Sequence, residues 1–489
     1  MRIDHLSLKN YRCFAELSVD LHPQLTVIVA PNGLGKSTLL DAIKIALWPY
    51  VAGFDMGSTT NDITGIHNDD VRREQVQSHE MEWRLPAQIS ANGQLHVRQL
   101  VLDGVLKNHK PRPENGMVDM AEEFHEDVPW QGLRYRESVK KGTKTKDVIS
   151  TSALNLNETA KALEQRIFSG KLTKPDDLPM LGYYGTGRLW SQKKLTASFG
   201  ETDSETQSRT FAYRDCLDPA SSYKHFAVWF SRVHQSYFQA QIRNYERRFP
   251  ANADVPYGLI APFKAVQCAL DAVLKNHTGW HTLEYSAEHQ ELVLNHDQHG
   301  ELKVSQLSDG IRNMLAMVGD IAYRCYKLNV HFGEAAPQRT RGIVMIDEID
   351  MHLHPSWQQT VLNDLITAFP KLQFIVTTHS PQVLSTVNRD HIRVLRHTPQ
   401  GHEAAIPDFS PLAHESGDAL AKIMETHREP ELPLQESIRD YEQWVRSGQE
   451  NSPEARQLRQ TLDEAGYQIH DSDLTTWRFL AQRHTAQGG

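Results

Sequence analysis

Ala30-Pro31-Asn32-Gly33-Leu34-Gly35-Lys36-Ser37-Thr38 stands between an apolar run, Leu25-Thr26-Val27-Ile28-Val29, and a helical pattern with Leu39, Leu40, Ile43 and Leu47 on one face. Strand, glycine-rich turn and helix, in that order, are the setting of a phosphate-binding loop. Glycines let consecutive N–H groups curl around phosphate oxygens, and the helix N-terminus adds partial positive charge. In such a loop Asn32, Gly33, Gly35 and Thr38 belong to the cradle, Lys36 reaches the β- and γ-phosphates, and the Ser37 hydroxyl ligates Mg²⁺. The spacing departs from GxxxxGK[ST] only at its first position, which is Ala30. Gly33 and Gly35 remain to close the loop, and Pro49 is expected to stop the helix.

Far downstream, Ile343-Val344-Met345-Ile346 runs straight into Asp347-Glu348. A buried strand of this kind delivers Asp347 beside Ser37, where it holds the metal's water shell. Glu348 is then placed to polarise an attacking water as general base. Alone, two acids at a strand end are common; joined to the phosphate loop, they point to phosphoryl chemistry. Further strand-length runs at 372–377 and 392–395, with a helix at 355–369, give the alternation of a parallel sheet. Between the two halves, strands are expected around an Asn92-Gly93 turn, a loop-rich stretch at 105–147, and helices at 155–168 and 223–249 flanking a strand at 178–184. No heptad pattern is long enough for a coiled-coil arm.

With 489 residues, 39% of them hydrophobic, the chain is long enough for two or three cores. A formal charge of -9 argues against a globally basic nucleic-acid binder. The local stretch from Arg134 to Lys146 remains a candidate for nucleic-acid contact, or a solvated loop. No uninterrupted apolar run approaches ~18 residues, so no membrane association is expected. Met1-Arg2-Ile3-Asp4-His5 has no secretion signal, and Cys13, Cys216, Cys268 and Cys325 form no CxxC pair. The expected location is cytoplasmic.

Taken with Leu307-Ser308-Asp309-Gly310 and His379, these motifs resemble the ABC ATPase set in its RecF/SMC/OLD branch. The resemblance implies an α/β fold, an ABC-type P-loop ATPase domain with a mixed sheet and flanking helices. It also implies hydrolysis of ATP with Mg²⁺ by a homodimer or higher homo-oligomer paired head to tail. Leu-Ser-Asp-Gly is similar to the signature motif LSGG, departing at Asp309; Ser308 and Gly310 would then bind the γ-phosphate held by a partner subunit. Read without the family, it is an N-cap turn. Asp350-Met351-His352-Leu353-His354-Pro355 resembles a D-loop, the other reading being a metal site at His352 and His354. His379 would be the switch histidine that contacts the γ-phosphate. Arg12 resembles an amino-terminal arginine that touches nucleotide phosphates. The Q-loop glutamine is open among Gln75, Gln88 and Gln94.

The resemblance divides the chain into ATPase halves at 1–102 and 256–415, a loop-rich and helical insertion at 103–255, and a helical extension at 416–489. Tyr183-Tyr184-Gly185-Thr186-Gly187-Arg188-Leu189-Trp190, Phe226-Ala227-Val228-Trp229-Phe230 and the tail from Gly417 are similar to the PtuA family. Those are the ATPases of Septu anti-phage systems and of retrons carrying a PtuA/PtuB pair. That likeness implies an HNH nuclease partner (PtuB) and, in retron versions, reverse transcriptase and msDNA. A RecF-like DNA repair ATPase is the alternative. Asp471-Ser472-Asp473 has the spacing of a Toprim motif, but no buried strand leads into it, so no nuclease centre is expected. The stripes Ile438, Tyr441, Trp444 and Ala455, Leu458, Leu462 are expected either to dock a partner or to pack within the chain.

Overall fold

The structure, a computed structural model, describes residues 1–55, 65–77, 80–98, 125–149, 153–169, 175–188, 208–219, 224–246, 257–424, 426, 434–467, 469 and 474–479. Leu189, Trp190 and the Asp471-Ser472-Asp473 motif lie outside the described residues.

In chain order the strands of the first half are β1 (Arg2–Tyr11), β2 (Phe14–Asp20), β3 (Leu25–Val29), β4 (Arg73–Gln77), β5 (Glu80–Trp83), β6 (Ala87–Arg98), β7 (His125–Arg136), β8 (Lys146–Ile149) and β9 (Met180–Tyr184). The second half adds β10 (Trp280–Ser286), β11 (Glu291–His296), β12 (Gly300–Lys303), β13 (Gly342–Ile346), β14 (Leu372–Thr377), β15 (Ile392–Thr398) and β16 (Gly401–Ala405). The central sheet has the order β16-β15-β3-β14-β13-β9. All its pairings are parallel except β15 with β16. Every residue of β3, β9, β13 and β14 is buried, the condition of a strand covered on both faces. Because these strands run the same way, the loops after β3, β13, β14 and β9 all leave from one edge. Ligands bind at that edge in open α/β sheets.

A second, antiparallel sheet is ordered β2-β1-β6-β7-β8. Two of its strands correct the sequence reading. β7 and β8 fall within or beside the stretch expected to be loop-rich, and β7 pairs with β6 from Ala87↔Arg136 to Arg98↔His125. Charged residues hid the strand, since Arg134 and Arg136 are buried. Arg134 donates from Nε to Asp147 Oδ1 (2.7 Å) and from Nη1 to the Ile45 carbonyl (2.7 Å). Arg136 donates to the Ile66 carbonyl (2.9 Å) and to Asn68 Oδ1. Neither guanidinium is therefore presented to a phosphate backbone.

The Ile45 contact also explains why Pro49 does not stop its helix. Helix Lys36–Val51 contains Pro49. Proline has no N–H to give the carbonyl four residues back, and Arg134 supplies that donor instead. Asn92 and Gly93 are not a turn either; they lie inside β6. A Cβ on Gly93 would stand 2.1 Å from the Arg2 carbonyl, so the glycine permits the close approach of β1. The helix expected at 355–369 is two pieces, Pro355–Gln358 and Val361–Ala368, because Thr360 leaves the helical backbone and becomes the N-cap of the second.

Helix Tyr257–Thr278 is long and apolar enough to cross a membrane by composition, but Phe263, Val266, Leu270 and Leu274 are buried in the core. The chain divides into Met1–Met424 and Glu425–Gly489 rather than at 416. Helix Ser416–Lys422 belongs to the first unit, with Ala419 and Ile423 in its core. In the second unit, helices Leu434–Arg446 and Pro453–Glu464 bury Tyr441 and Val445 together with Ala455 and Leu462. Ser452 caps the second helix by accepting from Ala455 N (3.1 Å) ahead of Pro453, as its sequence suggests. The two apolar stripes thus pack against each other within the chain.

Candidate nucleotide site

The loop after β3 has the backbone a phosphate cradle needs. Gly33 (φ 84°) and Gly35 (φ 93°) are both left-handed, a conformation open to glycine at little cost. Gly35 is doubly constrained, because a Cβ there would meet Phe14 Cζ at 2.5 Å and Cys13 Sγ at 2.7 Å. A Cβ on Gly33 would meet nothing within 4 Å. Gly35→Ala should therefore weaken binding of a fluorescent ATP analogue far more than Gly33→Ala, which adds only backbone strain of about 1–3 kcal/mol. Equal losses in the two variants would mean that the Phe14 contact does not shape the loop.

Lys36 is buried, and its ammonium donates to the Ala30 carbonyl (2.8 Å) and the Pro31 carbonyl (3.4 Å). Burial lowers its pKa, while the carboxylates of Asp347, Glu348 and Asp350 pull it back up. The cation is thus set at the mouth of the loop within the field of three acids.

β13 carries Asp347 to the same place. Ser37 Oγ donates to Asp347 Oδ2 at 2.7 Å, across 310 residues of sequence. Asp347 Oδ1 accepts from Thr377 Oγ1 (2.5 Å), and Thr377 Oγ1 accepts from Glu348 N (2.8 Å). Thr377, at the end of β14, is a residue that sequence reading missed; it orients the Asp347 carboxylate and the Glu348 backbone together. Glu348 is half-buried and has a left-handed φ of 49°. For a non-glycine residue this is strained, and the Thr377 bond helps to hold it. The oxygen donors Ser37 and Asp347 suit a hard cation such as Mg²⁺, which takes few protein ligands and keeps several waters.

Asp350 Oδ1 accepts from Thr378 Oγ1 (2.6 Å) and His379 N (3.4 Å), fixing the backbone that presents the half-buried His379. His354 Nδ1 accepts from Ser356 N (3.3 Å) and caps the following helix. The His352 carbonyl lies 2.5 Å from where a Gly310 Cβ would be. The D-loop segment therefore rests on the first turn of helix Asp309–Leu328. Ser308 is the N-cap residue of that helix, yet its hydroxyl makes no capping bond, and it is exposed. Asp309 forms an ion pair with Arg312, so its charge does not stand alone beside Ser308.

Arg12 lies in the β1–β2 turn that packs on Gly35. It donates from Nε to Asp70 Oδ1 and from Nη1 to Asp41 Oδ2, both at 2.7 Å. These two carboxylates, which no sequence motif signalled, hold the guanidinium beside the phosphate-loop helix. Next to it, burial pushes the Cys13 thiol up in pKa, partly offset by hydrogen bonds with its own backbone and with Thr38 and by the Arg12 charge. Of the three glutamines, Gln75 is in β4, and Gln88 and Gln94 are in β6. The segment running beside Asp347 is instead the end of β9, where Ile346 pairs with Tyr184 and the Tyr184 carbonyl accepts from Asp347 N (2.8 Å).

Two family models match the chain: one described as an AAA domain over residues 5–241, and one described as an AAA domain, putative AbiEii toxin, Type IV TA system, over 228–385. The chain is 39% identical over 164 residues to the Retron Vc95 probable ATPase of Vibrio cholerae serotype O1 biovar El Tor, a match covering 33% of this chain and 31% of that one. It is 25% identical over 484 residues to the Retron Ec83 probable ATPase of Escherichia coli, covering 95% of this chain and 84% of the relative. A third relative, Septu protein PtuA of Bacillus mycoides, is 40% identical over 93 residues, 19% of this chain and 12% of that one. The match thus spans about a third of the first relative and most of the second. With the phosphate loop, the Asp347-Glu348 pair, the Ser308 helix and His379 set out around one P-loop sheet, the chain has the fold of an ABC-type P-loop ATPase, similar to the RecF/SMC/OLD branch and to PtuA.

Proposed function

We propose that the chain is the ATP-hydrolysing subunit of an anti-phage defence complex, and that its nucleotide-gated dimer controls a partner HNH nuclease of the PtuB kind. The likeness to retron and Septu ATPases supports the setting. The observation that carries the dimer is Ser308: an exposed N-cap serine whose hydroxyl is not spent on its own helix. It leaves an oxygen and free helix N–H groups for an anion from outside.

In this mechanism Lys36 and the loop N–H groups hold the β- and γ-phosphates. Ser37 and Asp347 would hold Mg²⁺, which would supply charge neutralisation during phosphoryl transfer. Glu348 takes the proton of the attacking water as its oxygen bonds to the γ-phosphorus and ADP leaves. His379 contacts the γ-phosphate from the end of β14. Ser308 and Gly310 of a second copy close the site from the other side, and Arg12, held by Asp70 and Asp41, stands beside the phosphate-loop helix of the first copy. In a retron, reverse transcriptase and msDNA would be further members of the complex.

The RecF-like alternative drew on the basic stretch near Arg134, whose two buried arginines are already paired within the chain. The test is a phage challenge of cells that express the chain with the HNH nuclease encoded beside it. Lys36→Ala should return plaque counts to those of empty-vector cells. Full protection with Lys36→Ala would reject nucleotide control. Absence of such a nuclease, with ATPase activity stimulated by DNA ends, would favour repair.

A further inference from the structure

Beside the approach of the His352 carbonyl to Gly310, Tyr184 makes a second link between two parts of the catalytic apparatus. Its carbonyl accepts from Asp347 N at 2.8 Å, at the point where β13 delivers the metal-side carboxylate. Its hydroxyl donates to Asp320 Oδ2, also at 2.8 Å. Asp320 lies within helix Asp309–Leu328, whose N-terminus carries Ser308. At 1.5 Å per residue the two positions are roughly 18 Å apart along one rigid element. Tyr183 faces the other way along β9, toward the phosphate-loop helix, with Lys44 Nζ 5.8 Å from its ring centre. The strand thus touches both sides of the site.

The Asp320 end is fixed rather than adaptable. Arg324 Nε donates to the same Asp320 oxygen at 2.7 Å, and Arg324 Nη1 donates to the carbonyls of Ala212 and Arg214. Tyr184, Asp320 and Arg324 are all buried. The second carboxylate oxygen, Oδ1, has no hydrogen-bond partner among the described residues. One oxygen therefore anchors both partners, and in such a dry setting the loss of either is felt by the other.

We propose that Tyr184 is a positioning residue for ATP hydrolysis: it couples the Ser308 helix of a subunit to Asp347 of the same subunit. Engagement of Ser308 with the neighbour's nucleotide biases the helix, and the Asp320–Tyr184 bond carries that bias to the backbone from which Asp347 meets the metal. This rests on the reading of Asp347 as the metal-side carboxylate and of Ser308 as the cover of a partner's nucleotide. It also gives the Tyr183-Tyr184 pair, which lies outside the nucleotide motifs, a place in the chemistry.

The experiment is a Mg²⁺ titration of ATPase activity in Tyr184→Phe, Asp320→Asn and the double variant, at saturating ATP and beside melting curves, with the midpoint checked by Mn²⁺ binding in the presence of a non-hydrolysable ATP analogue, read from the free-Mn²⁺ EPR signal. Phenylalanine keeps the ring and the backbone carbonyl and removes only the hydroxyl. The Mg²⁺ concentration for half-maximal hydrolysis should rise about tenfold in Tyr184→Phe, as when a residue supporting a metal ligand is lost. The KM for ATP at saturating Mg²⁺ should stay within about twofold. A merely structural role lowers the fraction of active protein and leaves the Mg²⁺ midpoint where it was. Asp320→Asn should shift the midpoint in the same direction, and the double variant should be no worse than the worse single variant. An unchanged midpoint in folded Tyr184→Phe, or a double variant equal to the product of the singles, overturns the proposal. If Tyr184→Phe does not fold, an unchanged midpoint in Asp320→Asn does so alone. Should Glu348→Gln hydrolyse ATP normally, the reading of the site itself fails. With Glu348→Gln inactive and Tyr184→Phe unshifted, only the coupling fails.

Discussion

Glu348→Gln binds ATP as the wild type does and loses hydrolysis by about 10²–10⁴-fold, the usual worth of a positioned general base. The substitution keeps the length and shape of the side chain. It leaves the backbone bond from residue 348 to Thr377 Oγ1 (2.8 Å) in place, and with it the strained φ of 49°. Lys36, Ser37 and Asp347 keep their own bonds. What disappears is the group that accepts a proton from water as the γ-phosphorus is attacked. If, as proposed, the closed dimer relaxes only after the γ-phosphate is released, this variant should also accumulate as an ATP-dependent dimer on gel filtration. Hydrolysis at the wild-type rate by the purified variant removes Glu348 from the role of base.

A mixture of Lys36→Ala and Ser308→Arg subunits recovers part of the ATPase activity that each loses alone. Lys36→Ala destroys the phosphate cradle, where the ammonium sits 2.8 Å from the Ala30 carbonyl. Ser308→Arg places a long cation on the exposed first turn of helix Asp309–Leu328, where a γ-phosphate from another chain is to be covered. If each site takes Lys36 from one chain and Ser308 from the other, a mixed dimer has one site with both defects and one with neither. Activity then approaches about half that of the wild type per mixed dimer when the sites act independently, and less when they are coupled. No recovery in a demonstrated mixed dimer counts against independent sites in trans. Full activity of either variant alone rejects the composite site.

The central sheet was legible because its strands are short apolar runs ending in chemistry-bearing residues. Leu25 to Val29 before the glycines and Ile343 to Ile346 before two acids leave few other arrangements. Leu307-Ser308-Asp309-Gly310 was legible as an N-cap turn, and helix Asp309–Leu328 follows Ser308. What stayed hidden has one physical cause in several guises: polar groups spent inside the fold. Arg134 and Arg136 look like solvated charge in sequence, yet they are buried donors to carbonyls and carboxylates. Pro49 looks like a helix stop until a side chain from 89 positions away answers the carbonyl it leaves open. Asp41 and Asp70 flank Arg12 through a fold that no local pattern announces. The same holds for Thr377, whose hydroxyl binds both Asp347 and the Glu348 backbone. The apolar stripes of the last helices were visible, but only packing could decide that they face each other.

The position of β3 has a consequence for how the protein is made. Its two neighbours in the sheet are β14 and β15, which the ribosome supplies more than three hundred residues later. Ile3 likewise waits for Gln373, whose side-chain oxygen accepts from Ile3 N at 2.9 Å across 370 residues. Until then the first half of the nascent chain carries a largely apolar strand with both edges unpaired, a template for association with other chains. Pairing so distant in sequence is slow to form, because a large loop must close before any contact repays it. The phosphate loop and the acids that complete it are thus delivered at opposite ends of synthesis, and a partly made chain has no centre with which to spend ATP.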